Sequence, residues 1–276
     1  MRARVMAISA ALSSGRRGFA IWDPYLVAAI TSRRKLMRSS GYMFAFLAVF
    51  LFTSVQQKVV WGAEANVQDV VATLEQGYKS LNDVQADFSQ RTALASIKKE
   101  QRGSGTLIIK KPAGAAAMFR FDYTEPRQLI VSNGKSVWFY LPENRQVMVS
   151  DVATLLEGKN GVTVNYLTAM DHLSRDFNAS FASNGRDKKG NYVLQLTPKT
   201  KSQILAKLQI TVAEQAVDQF MREGKASEPF PIVSSVVYDS FGTRTTMDFS
   251  KIRVNRGVSN SRFSFKIPAG VEVIKR

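Results

Sequence analysis

Apolar residues recur at Val67, Val70, Val71, Leu74 and Tyr78 within NVQDVVATLEQGYKSLNDVQADFSQ (66–90). That spacing is one face of a helix, and the pattern predicts that the helix breaks near Ser80 or Asn82. From Val84 the period drops to two, with Val84, Ala86 and Phe88 alternating with Gln85, Asp87 and Ser89, as in a half-buried strand. In RGSGTLIIKKP (102–112) Leu107, Ile109 and Lys111 share a face, and Pro112 ends the ladder because it has no N–H to donate. MFRFDYTEP (118–126) alternates again, placing Phe119, Phe121 and Tyr123 on one side. In QLIVSNGKSVWFYL, Asn133-Gly134 is a strong hairpin signal, because both turn positions call for positive φ. A two-residue loop there sets Leu129 opposite Trp138 and Ile130 opposite Val137. Both faces of this hairpin are apolar, and the larger side chains point to Trp138 and Tyr140 as the inward ones.

The rhythm changes in VATLLEGKNGVTVNYLTAMDHL (152–173), where Leu155, Leu156, Leu167 and Met170 predict short helices around a Gly158–Gly161 turn. Strands resume with FNASFAS, NYVLQLTP and ILAKLQITV; residues 213–231 read as a helix followed by irregular chain; and a last hairpin turns near Gly242. No βαβ alternation occurs. About ten or eleven short antiparallel strands with two helical inserts imply a mainly β fold: an unclosed, strongly curved antiparallel β-barrel with a helical lid or plug covering a hydrophobic cavity. The helices at 67–79 and 152–172 are the available cover.

The 276 residues are 45% hydrophobic, enough for one substantial core. Part of the +16 net charge sits in the first 65 residues, with nine basic side chains against two acidic ones. RRKLMRSSG (33–41) is basic, YMFAFLAVFLF (42–52) is apolar and AEA (63–65) offers small residues at cleavage spacing, the layout of a signal peptide. The apolar run is shorter than the about 20 residues a spanning helix needs. Residues 1–65 therefore read as an N-terminal extension and signal peptide, with translation starting at Met37 and cleavage after Ala65, and 66–276 as the exported domain. There is no cysteine, which excludes disulfides, thiolate metal sites and the acylated N-terminal cysteine of a bacterial lipoprotein.

Catalytic chemistry finds no foothold. His172 is the single histidine, and Ser174, two residues on, cannot face it on a helix. No HExxH, GxGxxG or phosphate-loop spacing occurs, so no metal and no cofactor are expected. The aromatics sit among mixed charges rather than along a basic stripe, so no nucleic-acid partner is expected. The basic excess suits anionic lipid head groups or an acidic protein.

Four stretches in their order and spacing make the chain similar to a known family: ADFSQ, GSGTLIIKKP followed by FRFDYTEP, LIVSNGKSVWFYLP, and RFSFKIPAGVEV. Across 66–276 it resembles the outer-membrane lipoprotein carrier protein (LolA) family. The resemblance implies a periplasmic chaperone that accepts acylated lipoproteins from an inner-membrane ABC exporter and delivers them to an outer-membrane lipoprotein receptor. A monomer without enzymatic activity is expected, and the missing cysteine favours the soluble shuttle over its acylated receptor. An alternative is a periplasmic lipid- or lipoprotein-sensing regulatory module on the same scaffold.

On this reading Phe88, Leu107, Ile109, Phe119, Phe121 and Tyr123 line the ligand site, as do Leu129, Trp138, Tyr140, Leu155, Leu167 and Met170. The same side chains could equally pack a closed core against the helix. The resemblance also implies a lock at Lys111, where the family has an arginine that bonds the lid; lysine lacks the guanidinium fork, so a weaker lock is expected. The alternative for Lys111 is an exposed side chain at a strand end. AGAAA (113–117) and 213–231 depart from the family pattern.

Overall fold

The structure, a computed structural model, describes residues 64–94, 99–153, 166–200 and 205–275. The first helix, α1 (Val67–Lys79), begins at a capping box: the Asn66 side chain accepts from the Asp69 amide, and the Asp69 carboxylate accepts from the Asn66 amide. Its buried face carries Val70, Val71, Leu74 and Tyr78, as the periodicity predicts, and Ser80 caps its end. Gly77 is on that face because a Cβ there would lie 2.5 Å from the Glu228 carbonyl oxygen, so only glycine lets the chain at 228–230 press against the helix.

Among the described residues twelve strands then form one sheet: β1 (Asp83–Leu94), β2 (Lys99–Lys110), β3 (Met118–Glu125), β4 (Gln128–Ser132), β5 (Ser136–Leu141), β6 (Gln146–Asp151), β7 (Phe177–Arg186), β8 (Tyr192–Pro198), β9 (Leu205–Val212), β10 (Ile232–Asp239), β11 (Arg244–Val254) and β12 (Glu272–Lys275). A 3-10 turn (Met170–His172) and a short helix, α2 (Leu173–Asp176), precede β7, and helix α3 (Glu214–Glu223) separates β9 from β10. Spatial order is β12-β6-β5-β4-β3-β2-β1-β11-β10-β9-β8-β7. The sheet is curved and unclosed, with β12 and β7 as its edges.

The expected count of ten or eleven falls short because β6 and β12 carry little local signal. β12 pairs with β6 in parallel, the one non-antiparallel ladder among the described residues. The junction between α1 and β1 is tied to the exit of β11. Asn255 accepts from the Asn82 and Asp83 amides and donates to the Ser80 carbonyl, while the buried Asp83 carboxylate accepts from the amides of Arg256, Gly257 and Val258. Those bonds fix where the chain passes from α1 into β1 and where it turns after β11.

Alternation divides the sheet into two apolar faces. The inner face, under α1, gathers Val84, Phe88, Leu107, Ile109, Phe119, Phe121, Val137, Leu194, Leu208, Ile210, Met247 and Phe249. On the outer face Ile108, Met118 and Val131 pack against Val258 and Phe263, with Leu129, Trp138 and Phe265 beside them. The chain between β11 and β12, including a 3-10 turn at Asn260–Phe263, therefore covers the outside of the hairpin region.

Candidate functional site: an apolar inner face under a latched helical cover

Phe88, Leu107, Ile109, Phe119 and Phe121 all lie on the inner face, each at most 3% exposed, and Leu167 and Met170 close over them at 0%. Strand alternation brings these side chains together, as the sequence predicts, and the rings meet edge-on: Phe88 lies 5.9 Å from Phe121 and 4.8 Å from Tyr123, and Phe119 lies 6.2 Å from Phe121. Tyr123 packs at the margin of this cluster and donates to Gln90 at 2.8 Å. Burial pushes its pKa up to about 12. Leu155 lies outside the described residues.

Leu129, Trp138 and Tyr140 belong to the other side. Leu129 and Trp138 pack in the outer cluster, and the Trp138 and Tyr140 rings lie 6.4 and 5.4 Å from Phe265. Large side chains were a poor guide here because the outer face is covered too, by the chain at 258–265. On this hairpin it is Ile130 and Val137 that face the inner core. Its register also differs from the expected one. Asn133 Oδ1 accepts from the Lys135 and Ser136 amides, the turn centres one residue later on Gly134 and Lys135, and Leu129 stands opposite Tyr140 rather than Trp138. The shift is by two positions, so each residue keeps its face.

Three polar attachments hold the 166–176 segment over the inner face. The buried Tyr166 and Ser235 hydroxyls are 2.6 Å apart. On the helix side, the Glu75 carboxylate of α1 accepts from the Ser174 amide at 2.6 Å and from its hydroxyl at 2.7 Å. Between them, the Lys111 ammonium donates to the Tyr78 carbonyl oxygen of α1 at 3.1 Å and to Asp171 Oδ2 at 3.0 Å. Lys111 thus spans from the end of β2 to both parts of the helical cover. Burial raises the Asp171 pKa, but the hydrogen bond and charge of Lys111 outweigh it and hold the carboxyl below its ordinary 3.8. His172 is half exposed, 3.9 Å from Asp171 Oδ2. Among the described residues no group of three or more His, Cys, Asp or Glu side chains is placed to hold a metal ion.

Several inner-face residues escaped the sequence reading. Tyr78 registers there only as a helix-face apolar residue, whereas its ring lies deep in the core, 5.7 Å from Phe230. Phe230 itself stands between two prolines, with no periodicity to place it. After α3 ends at Gly224 in the left-handed region, the chain runs back to set Phe230 against Tyr78 and, 5.7 Å away, Phe249. The long connection at 213–231 therefore contributes Val217 and Phe230 to the inner core. Ser235 could have been found as a polar residue at an inward position of a β-alternating stretch.

The geometry now stands beside known proteins. A family model described as "Outer membrane lipoprotein carrier protein LolA" matches residues 79–223. The outer-membrane lipoprotein carrier protein of Neisseria meningitidis serogroup B is 30% identical over 233 residues, covering 84% of this chain and 96% of that protein. The one of Methylobacillus flagellatus is 26% identical over 230 residues, covering 83% and 98%. Among solved structures, a LolA superfamily protein from Nitrosomonas europaea aligns with a TM-score of 0.36 at 15% identity, covering 73% of this chain and 98% of that one. With a family match over more than half of its length and a relative at 30% identity, this chain belongs to the outer membrane lipoprotein carrier protein (LolA) family.

Proposed function

We propose that the protein is a periplasmic carrier that takes up the acyl chains of lipoproteins leaving the inner membrane and yields them to a receptor at the outer membrane. The observation that carries this is the latch. One ammonium, on Lys111, ties the end of α1 and the 166–173 segment across a sheet face made of phenylalanine, leucine and isoleucine. A purely structural core has no need of a breakable polar clasp at its edge. A carrier does, because its apolar lining must be covered while empty and available while loaded.

The energetics favour such a device. Each CH₂ removed from water contributes about 0.8 kcal/mol, so acyl chains totalling on the order of 45 carbons would expose roughly 35 kcal/mol of unfavourable hydration. No single binding site captures that much, since non-covalent affinity saturates near 20 kcal/mol. The chains must pass from one apolar surface to another. Aromatic side chains suit the task, giving large contact area without demanding one fixed fit.

Its partners, on this reading, are acylated lipoproteins, an inner-membrane ABC exporter and an outer-membrane receptor, and the segment from Met37 to Ala65 acts as the export signal. Residues 1–63 lie outside the described residues, and among the described ones no helix is long and apolar enough to cross a membrane. The test is intact-mass analysis of protein purified from periplasm after expression with an energised exporter. A stoichiometric complex with triacylated lipoprotein supports the carrier. Free lipid alone, or no acylated species, contradicts it.

A further inference from the structure

Among the described residues the Tyr78 hydroxyl is the one buried side-chain polar atom without a hydrogen-bond partner. Other tyrosines of this face are partnered: Tyr166 by Ser235 at 2.6 Å, Tyr123 by Gln90 at 2.8 Å and Tyr192 by Arg186 at 2.6 Å. A buried hydroxyl with no partner loses its bonds to water and gains nothing in return, so phenylalanine would serve a closed core better. The placement of Tyr78 is informative. Its ring is at 0% exposure between Phe230 and the latch, with Lys111 Nζ 5.6 Å from the ring centroid. Its own backbone carbonyl is the one that Lys111 holds. The ring therefore lies against the latch, and its hydroxyl is near enough to Tyr166 and Asp171 of the 166–173 cover to feel both.

Burial, reinforced by Tyr166 and Asp171, raises the Tyr78 pKa well above 10. The hydroxyl thus keeps its proton at any working pH and can donate. Apolar contact with the phenylalanines is non-directional, so it cannot fix how deep a hydrocarbon chain sits. One buried donor beside the latch can, if the chain carries an acceptor at its head.

We propose that Tyr78 donates a hydrogen bond to the ester or amide carbonyl at the head of a bound acyl chain, so that the site selects acyl over alkyl chains. This rests on the carrier reading above and specifies what that carrier recognises. The carbonyl could belong to an acylated lipoprotein or to a membrane glycerolipid, which present the same ester chemistry.

The test uses Tyr78→Phe and three probes in calorimetric titrations: a diacylated lipopeptide, its dialkyl-ether counterpart lacking the ester carbonyls, and dihexanoylphosphatidylglycerol below its micelle concentration. The wild-type protein should bind the ester lipopeptide about tenfold tighter than the ether, a difference of about 1.4 kcal/mol. Tyr78→Phe should bring that ratio to about one, while the unliganded variant melts about 3 °C higher because an unpaired hydroxyl has gone. Loss of affinity in the lipopeptide arm assigns the carbonyl to a lipoprotein; loss in the phospholipid arm assigns it to membrane lipid, and either upholds the contact. An ester preference that survives in Tyr78→Phe overturns it, as does a lower melting temperature, which would mean that the hydroxyl already has a partner. Equal binding of ester and ether by the wild type sinks this inference alone. Failure of the wild type to bind any probe sinks the carrier reading as well.

Discussion

Replacing Lys111 with methionine keeps the aliphatic stem on the inner face and removes both hydrogen bonds of the latch. The Lys111 and Asp171 side chains are 17% and 22% exposed, so their contact is shielded from water more than a surface pair but is not fully desolvated. Hydrogen bonds to charged groups at such sites contribute about 2 kcal/mol. In the variant the closed arrangement also leaves Asp171 half buried beside a methyl group. Closure should weaken by about 2 kcal/mol, which raises the population of the open arrangement about 30-fold. A ligand that binds only the open arrangement gains affinity in proportion to that population. Lys111→Met should therefore bind a fluorescent fatty acid about 30-fold more tightly, and amide exchange across 166–176 should quicken by a similar factor. Transfer of bound lipoprotein to the receptor should slow, because the loaded form is no longer disfavoured. Asp171→Asn should give a smaller effect in the same direction, and combining the two should add little to Lys111→Met. Unchanged exchange and unchanged affinity in Lys111→Met would refute the latch.

The Asp171 carboxyl gives the latch a pH dependence whose sign is fixed. Its folded pKa lies below the ordinary 3.8, so its contribution is present above that value and is lost as pH falls through the folded value. Exchange protection at 166–176 should stay level from about pH 8 to about pH 5 and fall only below about pH 4; a decline near pH 6 would point to another group. Gly77→Ala should destabilise the protein by about 2 kcal/mol in urea, because its new Cβ collides with the Glu228 carbonyl, and an unchanged midpoint would contradict that packing. Asp83→Ala strands three backbone amides and should cost about 3 kcal/mol of stability by the same measurement, with a loss under about 1 kcal/mol arguing against the carboxylate as the tie. Trp138→Ala should lower stability without altering fatty-acid affinity, whereas Phe121→Ala should change affinity, and the reverse outcome would mean that the two faces of the sheet have been exchanged.

Elements whose signals are local were legible in the sequence. The 3.6-residue spacing in 67–78 marks α1, and period two marks β1, β2 and β3 together with the side on which Phe119 and Phe121 lie. Lys111 was legible for the same reason, lying two residues beyond Ile109 on the same face. What escaped depends on chain that is distant in sequence. β12 is four residues long and pairs with a strand that begins at residue 146, so nothing near it announces a ladder. The side of Trp138 was hidden because both faces of its hairpin are covered, and the outer cover comes from 258–265. Phe230 reaches the core from an irregular, proline-flanked stretch, where periodicity has no meaning. The Asn133-Gly134 signal located the hairpin, but the Asn133 side chain accepts two backbone bonds and moves the turn on by one residue.

The central claim is that the inner face of the sheet is where hydrocarbon binds, and photolabelling tests it most directly. A palmitoyl chain bearing a terminal diazirine, bound to the intact protein and irradiated, should attach to inner residues such as Phe88, Phe119, Phe121 and Met170, with labelling increased in Lys111→Met. Label confined to the outer face around Trp138 and Phe265, or no label above that of unfolded protein, would contradict the account.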